Sequence, residues 1–192
     1  MAIGRTFKES FQKALRSLEI GAFGFGAGGK YDDPDKLDPV EIRHHLTRPT
    51  AERPFWIRYA FLAGLSIDEV FDLTYIDPWF LVQMQELVQL ERRIREAGLE
   101  RLDTDLLREA KEAGYTDVQL AYLCDCEITA IKEKRSEYEI HTVFRLVDTC
   151  AAEFEAFTPY YYSTYGVENE MKKTDSKKIM ILGGGPNRIG QG

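Results

Sequence analysis

Long apolar runs are missing from this sequence. It holds no 18-residue apolar span and no apolar leader, so a membrane-spanning helix is not expected. Cysteine is scarce too. Three thiols in 192 residues, two of them at Cys124 and Cys126, make a poor disulfide framework, and a cytoplasmic location is expected. A C-x-C pair with one distant histidine, His141, lacks the second close pair that a zinc site shows. Both thiols read as small buried or half-buried hydrophobes, and no metal site is expected. A basic stripe is also absent. The formal charge is −7, whereas phosphate neutralisation needs Lys and Arg clustered on one face. The densest groups, Arg92-Arg93-Arg95 and Lys132-Lys134-Arg135, alternate with Glu at helical spacing and read as solvated helix surface with i,i+4 pairs. No nucleic-acid partner is expected.

What is present is enough for a folded protein. A hydrophobic fraction of 44% with 12% aromatics can bury a core, and the length suits one ordinary domain or a smaller one flanked by pieces of its neighbours. Thr6 and Glu9 form a capping-box pattern, so a helix starts there and runs to about Ile20. Phe7, Phe11, Ala14, Leu15 and Leu18 form its apolar stripe. Residues 21–33, GAFGFGAGGKYDD, hold five of the glycines and show no apolar periodicity. They read as a flexible loop and a domain boundary. No strand leads into this segment and no Lys-Ser/Thr pair closes it, which disfavours a phosphate loop. Asp38 as cap and Pro39 at the first helical position then open a helix that buries Ile42 and Leu46 and stops before Pro49.

The next hundred residues repeat themselves. Ala60, Gly64, Ser66, Val70 and Leu73 recur fifty positions later as Ala110, Gly114, Thr116, Leu120 and Leu123. Each copy reads as a helix closed by a left-handed glycine, a Ser or Thr cap and a short second helix. A third helix follows in both. In the first copy it starts at Asp77-Pro78 with Phe80, Met84, Leu87, Leu90 and Ile94 on its apolar face; in the second it runs through Ile128, Ile131 and Arg135. The expected fold is mainly α, a duplicated three-helix unit forming two small subdomains packed together. After Tyr138 the β-branched and aromatic content rises, and residues 141–166 read as an extended or strand-like connector. Residues 178–182, KIMIL, form a buried parallel strand, and the glycine-rich turn behind it opens a Rossmann-like unit. Gly183, Gly184, Gly185 and Gly190 give that turn its geometry or let another backbone or an anion approach.

The string GGGPNRIGQG after a short strand is more specific than its glycines. With VDTCAAEF, YYYSTY, MAIGR, KESFQKALRSLE, AGLSID and DPWFL in the same order, the chain resembles the large subunit of carbamoyl phosphate synthetase along essentially its whole length. The resemblance implies the middle of a longer polypeptide. Residues 1–23 would end the first, carboxyphosphate ATP-grasp half, and 24–150 would be the helical oligomerisation domain. Residues 151–176 would form a connector, and 177–192 the first strand and loop of the second, carbamoyl phosphate half. The resemblance further implies that the full enzyme uses two ATP, Mg or Mn, K, bicarbonate, and ammonia from a glutaminase small subunit. Asn187, Arg188 and Gly192 would line the passage that carries carbamate between the halves; a salt-bridge or capping role for Arg188 is the alternative. No catalytic residue and no cofactor are expected on this chain itself. Its partners would be the other domains of the same subunit and further copies of itself. A free-standing interaction module, using the aromatic run at 159–165 as its binding face, is the competing reading.

Overall fold

The computed structural model describes residues 2–33, 37–151, 153–154, 160–171, 175–177 and 179. In chain order these form α1 (Phe7–Ser17), α2 (Pro39–Leu46), α3 (Arg53–Leu62), α4 (Ile67–Thr74) and α5 (Pro78–Ala97). Then come α6 (Thr104–Glu112), α7 (Asp117–Leu123), α8 (Ile128–Glu137), β1 (Thr142–Leu146) and β2 (Tyr161–Tyr165). The mainly α class expected from the sequence is what the chain adopts. None of its described helices is long and apolar enough to cross a membrane.

The duplication is carried in the backbone itself. Gly64 and Gly114 take φ of +91° and +90°, and each is followed by an amide bonded back to the alanine five residues earlier, Leu65 N to Ala60 O and Tyr115 N to Ala110 O, both at 3.0 Å. That is a Schellman-type stop, which a left-handed glycine permits. Ser66 with Glu69 and Thr116 with Gln119 then form reciprocal capping boxes. Past the second helix of each copy, Tyr75 and Asp125 enter the left-handed region at φ of 55° and 50°, and the third helices begin at Pro78 and Ile128. Val70 and Leu120, and Leu81 and Ile131, are fully buried in matched pairs.

The two copies pack together, as expected, around a shared core. Buried side chains of both copies, of α1, of α2 and of the glycine-rich segment form a single apolar cluster. α5 touches α1, α3 and α4 on its own side and α7 of the other copy, and the hydroxyl of the buried Tyr115 donates to Leu87 O of α5 at 2.7 Å. On α5 the core face is Leu81, Met84, Leu87, Leu90 and Ile94. Phe80, expected inside, is 41% exposed.

α1 starts as expected and ends early. Thr6 accepts from Glu9 N at 3.2 Å, but the Glu9 carboxylate takes Arg5 N at 2.7 Å instead of closing the box on Thr6. Glu19 turns left-handed at φ 55°, so the helix stops at Ser17, short of Ile20, and Leu18 lies beyond it, 58% exposed. The buried side of α1 carries Glu9 and Gln12 beside Leu15. Asp38 caps α2 through Val40 N at 3.1 Å, with Pro39 behind it.

The glycine-rich segment is the main correction. Phe25, Ala27 and Tyr31 are buried core residues, so this is a packed loop and not a flexible one. Periodicity missed it because its anchors are backbone bonds to distant side chains. The basic groups also do more than decorate the surface. Arg92 donates to the Phe61 and Leu62 carbonyls at the end of α3, Arg93 forms a two-pronged pair with Glu109, and Lys134 reaches Leu102 O. Each ties one helix to another element.

The connector contains an antiparallel pair. β1 runs against β2 in the register Thr142↔Tyr165 through Leu146↔Tyr161. Its extended character was legible; the pairing was not, because period-2 alternation is weak in both strands. β2 packs beside α6, and Thr164 donates to Glu9 Oε2 at 3.0 Å.

Candidate functional site

Gly183, Gly184, Gly185, Asn187, Arg188, Gly190 and Gly192, and the body of the strand at 178–182, lie outside the described residues. Among the described residues, the most elaborated polar arrangement is the grip on the loop at 21–33.

Three side chains from three parts of the chain hold that loop. From α1, Gln12 Oε1 accepts Phe25 N at 3.0 Å, while its amide donates to Ala113 O at 3.3 Å. From the second copy, Gln119 donates to Gly26 O at 2.8 Å and to Gln12 Oε1 at 3.3 Å. From the first copy, Arg58 donates to Asp32 Oδ1 at 3.0 Å, and to Glu91 through Nε at 3.0 Å and a terminal nitrogen at 2.5 Å. Asp32 in turn accepts Gly28 N at 2.9 Å. A Cβ on Gly24 would come within 2.2 Å of Gln12 Oε1, and one on Gly26 within 2.2 Å of Arg58 Nε. Only glycine lets the backbone approach this closely.

The electrostatics match a structural clamp. Arg58 is 1% exposed. Its burial would lower the guanidinium pKa, but Glu91 and Asp32 more than offset this and raise it, so the charge is permanent. Burial pushes the Asp32 carboxyl up, while Arg58 and the Gly28 amide pull harder and hold it below the usual range. One buried cation held between two carboxylates is a paired network suited to holding shape. Among the described residues, one terminal nitrogen of Arg58 is buried without a hydrogen-bond partner.

Sequence reasoning missed Gln12, Arg58, Glu91 and Gln119. A signal existed for one of them: Arg58 is the only charge inside PFWIRYAFL, a segment otherwise apolar on every face. Cys124 and Cys126 fall as expected, buried and half-buried. Burial drives the Cys124 thiol up to about 11, and burial with Asp125 and Glu127 raises Cys126, so neither is an activated thiolate. Among the described residues no group of three His, Cys, Asp or Glu side chains could hold a metal ion.

The described surface also shows an aromatic patch. Phe7, Trp79 and Phe80 pack on one another with ring centroids 5.0 to 5.5 Å apart, and Trp79 is still 55% exposed. In the aromatic run near residue 160, Thr164 is buried and Tyr165 half-buried against the helices, while Tyr160 and Tyr161 face solvent.

Comparison with known proteins accounts for a helical body of this kind. Residues 1–139 match the family described as carbamoyl-phosphate synthetase large chain, oligomerisation domain. The chain is 53% identical to the carbamoyl phosphate synthase large chain of Rhodopirellula baltica, 47% to that of Archaeoglobus fulgidus and 50% to that of Vibrio vulnificus. Each match covers 100% of this chain and 18% of the relative. A duplicated helical unit with its loop clamped inside, matched along its whole length by these large chains, belongs to the carbamoyl-phosphate synthetase large-chain family and carries its oligomerisation domain.

Proposed function

We propose that this chain is the non-catalytic middle of a carbamoyl phosphate synthetase large subunit, holding two ATP-dependent halves in register and associating with further copies of itself. The observation that carries the reading is the match of residues 1–139 to an oligomerisation domain, in a chain spanning 18% of its relatives' length. On this reading 24–150 is the oligomerisation domain, and 1–23 ends the carboxyphosphate half. Residues 151–176 connect, and 177–192 open the carbamoyl phosphate half.

In the full subunit the reaction consumes two ATP, bicarbonate and ammonia released by a glutaminase subunit in the cytoplasm, with Mg or Mn and K as cofactors. Carboxyphosphate and carbamate decompose in water, so an enclosed route between the halves protects them. Asn187, Arg188 and Gly192 line that route: the guanidinium orients an anionic carbamate, and the glycine leaves bore for it to pass. Gly183, Gly184, Gly185 and Gly190 shape the turn.

The experiment pairs an ATPase assay with light scattering on the purified chain. Expected are no ATP hydrolysis above a buffer blank and a particle of defined mass larger than one chain. Turnover that survives removal of contaminants overturns the non-catalytic role; a monomer at tens of micromolar overturns self-association through this domain.

A further inference from the structure

We propose that the cleft between α1, the α6–α7 turn and β2 is a binding site for a small oxyanion of the phosphate class. The cleft has a volume of about 240 Å³, and Lys13, Arg16 and Lys111 stand on its walls with Glu9 and Asp117. Arg135 backs it through a 3.0 Å bond to Asp117. Four cations thus face two carboxylates, a positive spot on a chain whose net charge is −7.

The pairing leaves one cation over. Lys13 lies 2.7 Å from Glu9, and Lys111 and Arg135 lie 2.8 and 3.0 Å from Asp117. Both carboxylates are then fully engaged. Glu9 also accepts Arg5 N and the Thr164 hydroxyl, and the two Asp117 oxygens are divided between Lys111 and Arg135. Arg16 donates through one terminal nitrogen to Gly114 O at 2.9 Å, and among the described residues no carboxylate lies within salt-bridge distance of it. Burial lowers its pKa, with Glu9 and Tyr165 opposing only in part. Among the described residues, Arg135 Nε is buried with no hydrogen-bond partner. Arg16, on the wall of the cleft with no carboxylate partner among the described residues, is under-compensated, and its planar fork matches two oxygens of a tetrahedral or carboxylate-like anion. Lys111, seated over the Tyr165 ring at 5.0 Å, adds a second positive wall.

Inorganic phosphate is the probe. The 192-residue chain is titrated at constant ionic strength, following thermal midpoint and backbone amide NMR shifts. The expected result is a saturable rise in midpoint with shifts concentrated at Gly114, Tyr115 and the C-terminal half of α1. Arg16→Gln binds about tenfold more weakly or less, while Lys30→Gln, on an exposed loop position, binds as the parent does. Should Arg16→Gln fail to fold, Arg16→Lys keeps the charge and loses the fork, and a several-fold loss is expected. The proposal is overturned by a non-saturable response, by chloride acting as well as phosphate, or by Arg16 variants that bind undiminished.

Discussion

The two copies of the three-helix unit use the same local code at the same fifty-residue spacing, and they live in different surroundings. In the first copy α3 is buried nearly all round, with Phe55, Trp56, Ile57, Tyr59 and Phe61 inside, and its third helix runs 20 residues. In the second, α6 buries only Leu107, Ala110 and Lys111, and the third helix is 10 residues long. Caps and left-handed stops fix where helices begin and end; neighbours decide what each position is worth. Equivalent substitutions in the two copies separate these contributions.

Positions 58 and 108 are both arginine. Arg58→Ala strands Glu91 and Asp32 in the interior and is expected to cost about 3 to 5 kcal/mol. Arg108→Ala, at a half-buried position, is expected to stay within about 0.5 kcal/mol. Urea denaturation of the pair measures the contrast, and equal losses would break it. The stop glycines come next. A Cβ on Gly64 meets nothing within 4 Å, whereas one on Gly114 comes within 3.1 Å of Glu9 Cα and Gln12 Cβ. Gly64→Ala should lose about 1 kcal/mol from the left-handed backbone alone, and Gly114→Ala about 2 to 3 kcal/mol as α1 is displaced.

The capping partners give a smaller gap. Glu69 is an exposed cap partner; Gln119 is fully buried and also holds the loop. Gln119→Ala should cost about 2 kcal/mol, since Gly26 O loses its donor, and Glu69→Ala should cost less, since only an exposed cap is lost. The smallest effect depends on pH. The Ser66 amide, and then Arg43, hold the Glu69 carboxyl below its ordinary range. A lowered folded pKa means that the cap's contribution is complete above the normal carboxylate pKa and fades as pH falls through the depressed one. Native-state hydrogen exchange should show α4 loosening in acid while α7, capped by a neutral amide, does not. Glu69→Gln should erase the difference.

How much could be read in advance follows from the same contrast. The Gly-Ser and Gly-Thr stops at 64–66 and 114–116, the Asp38-Pro39 start and the repeat were legible because they act within a few residues. The inward turn of Leu81 in place of Phe80, and the early end of α1 at a left-handed Glu19, were not, since both depend on how α1 and α5 meet. The loop at 21–33 was misjudged for a related reason: glycine signals either freedom or close approach, and only Gln12, Arg58 and Gln119 decide which. The string around Asn187 and Arg188 rests on likeness alone and lies outside the described residues.

That loop has a further consequence for how the molecule can be divided. Its three anchors come from α1, from the first repeat and from the second, with Gln12 and Gln119 meeting across 107 residues of sequence. A cut in the turn between α5 and α6 would therefore not release two modules. The first piece would keep the loop with Gln12 and Arg58 and lose Gln119, which stays on the second, so the pieces should complement one another in a mixture and fail alone. The two copies form one body, and the short glycine-rich stretch is what joins them.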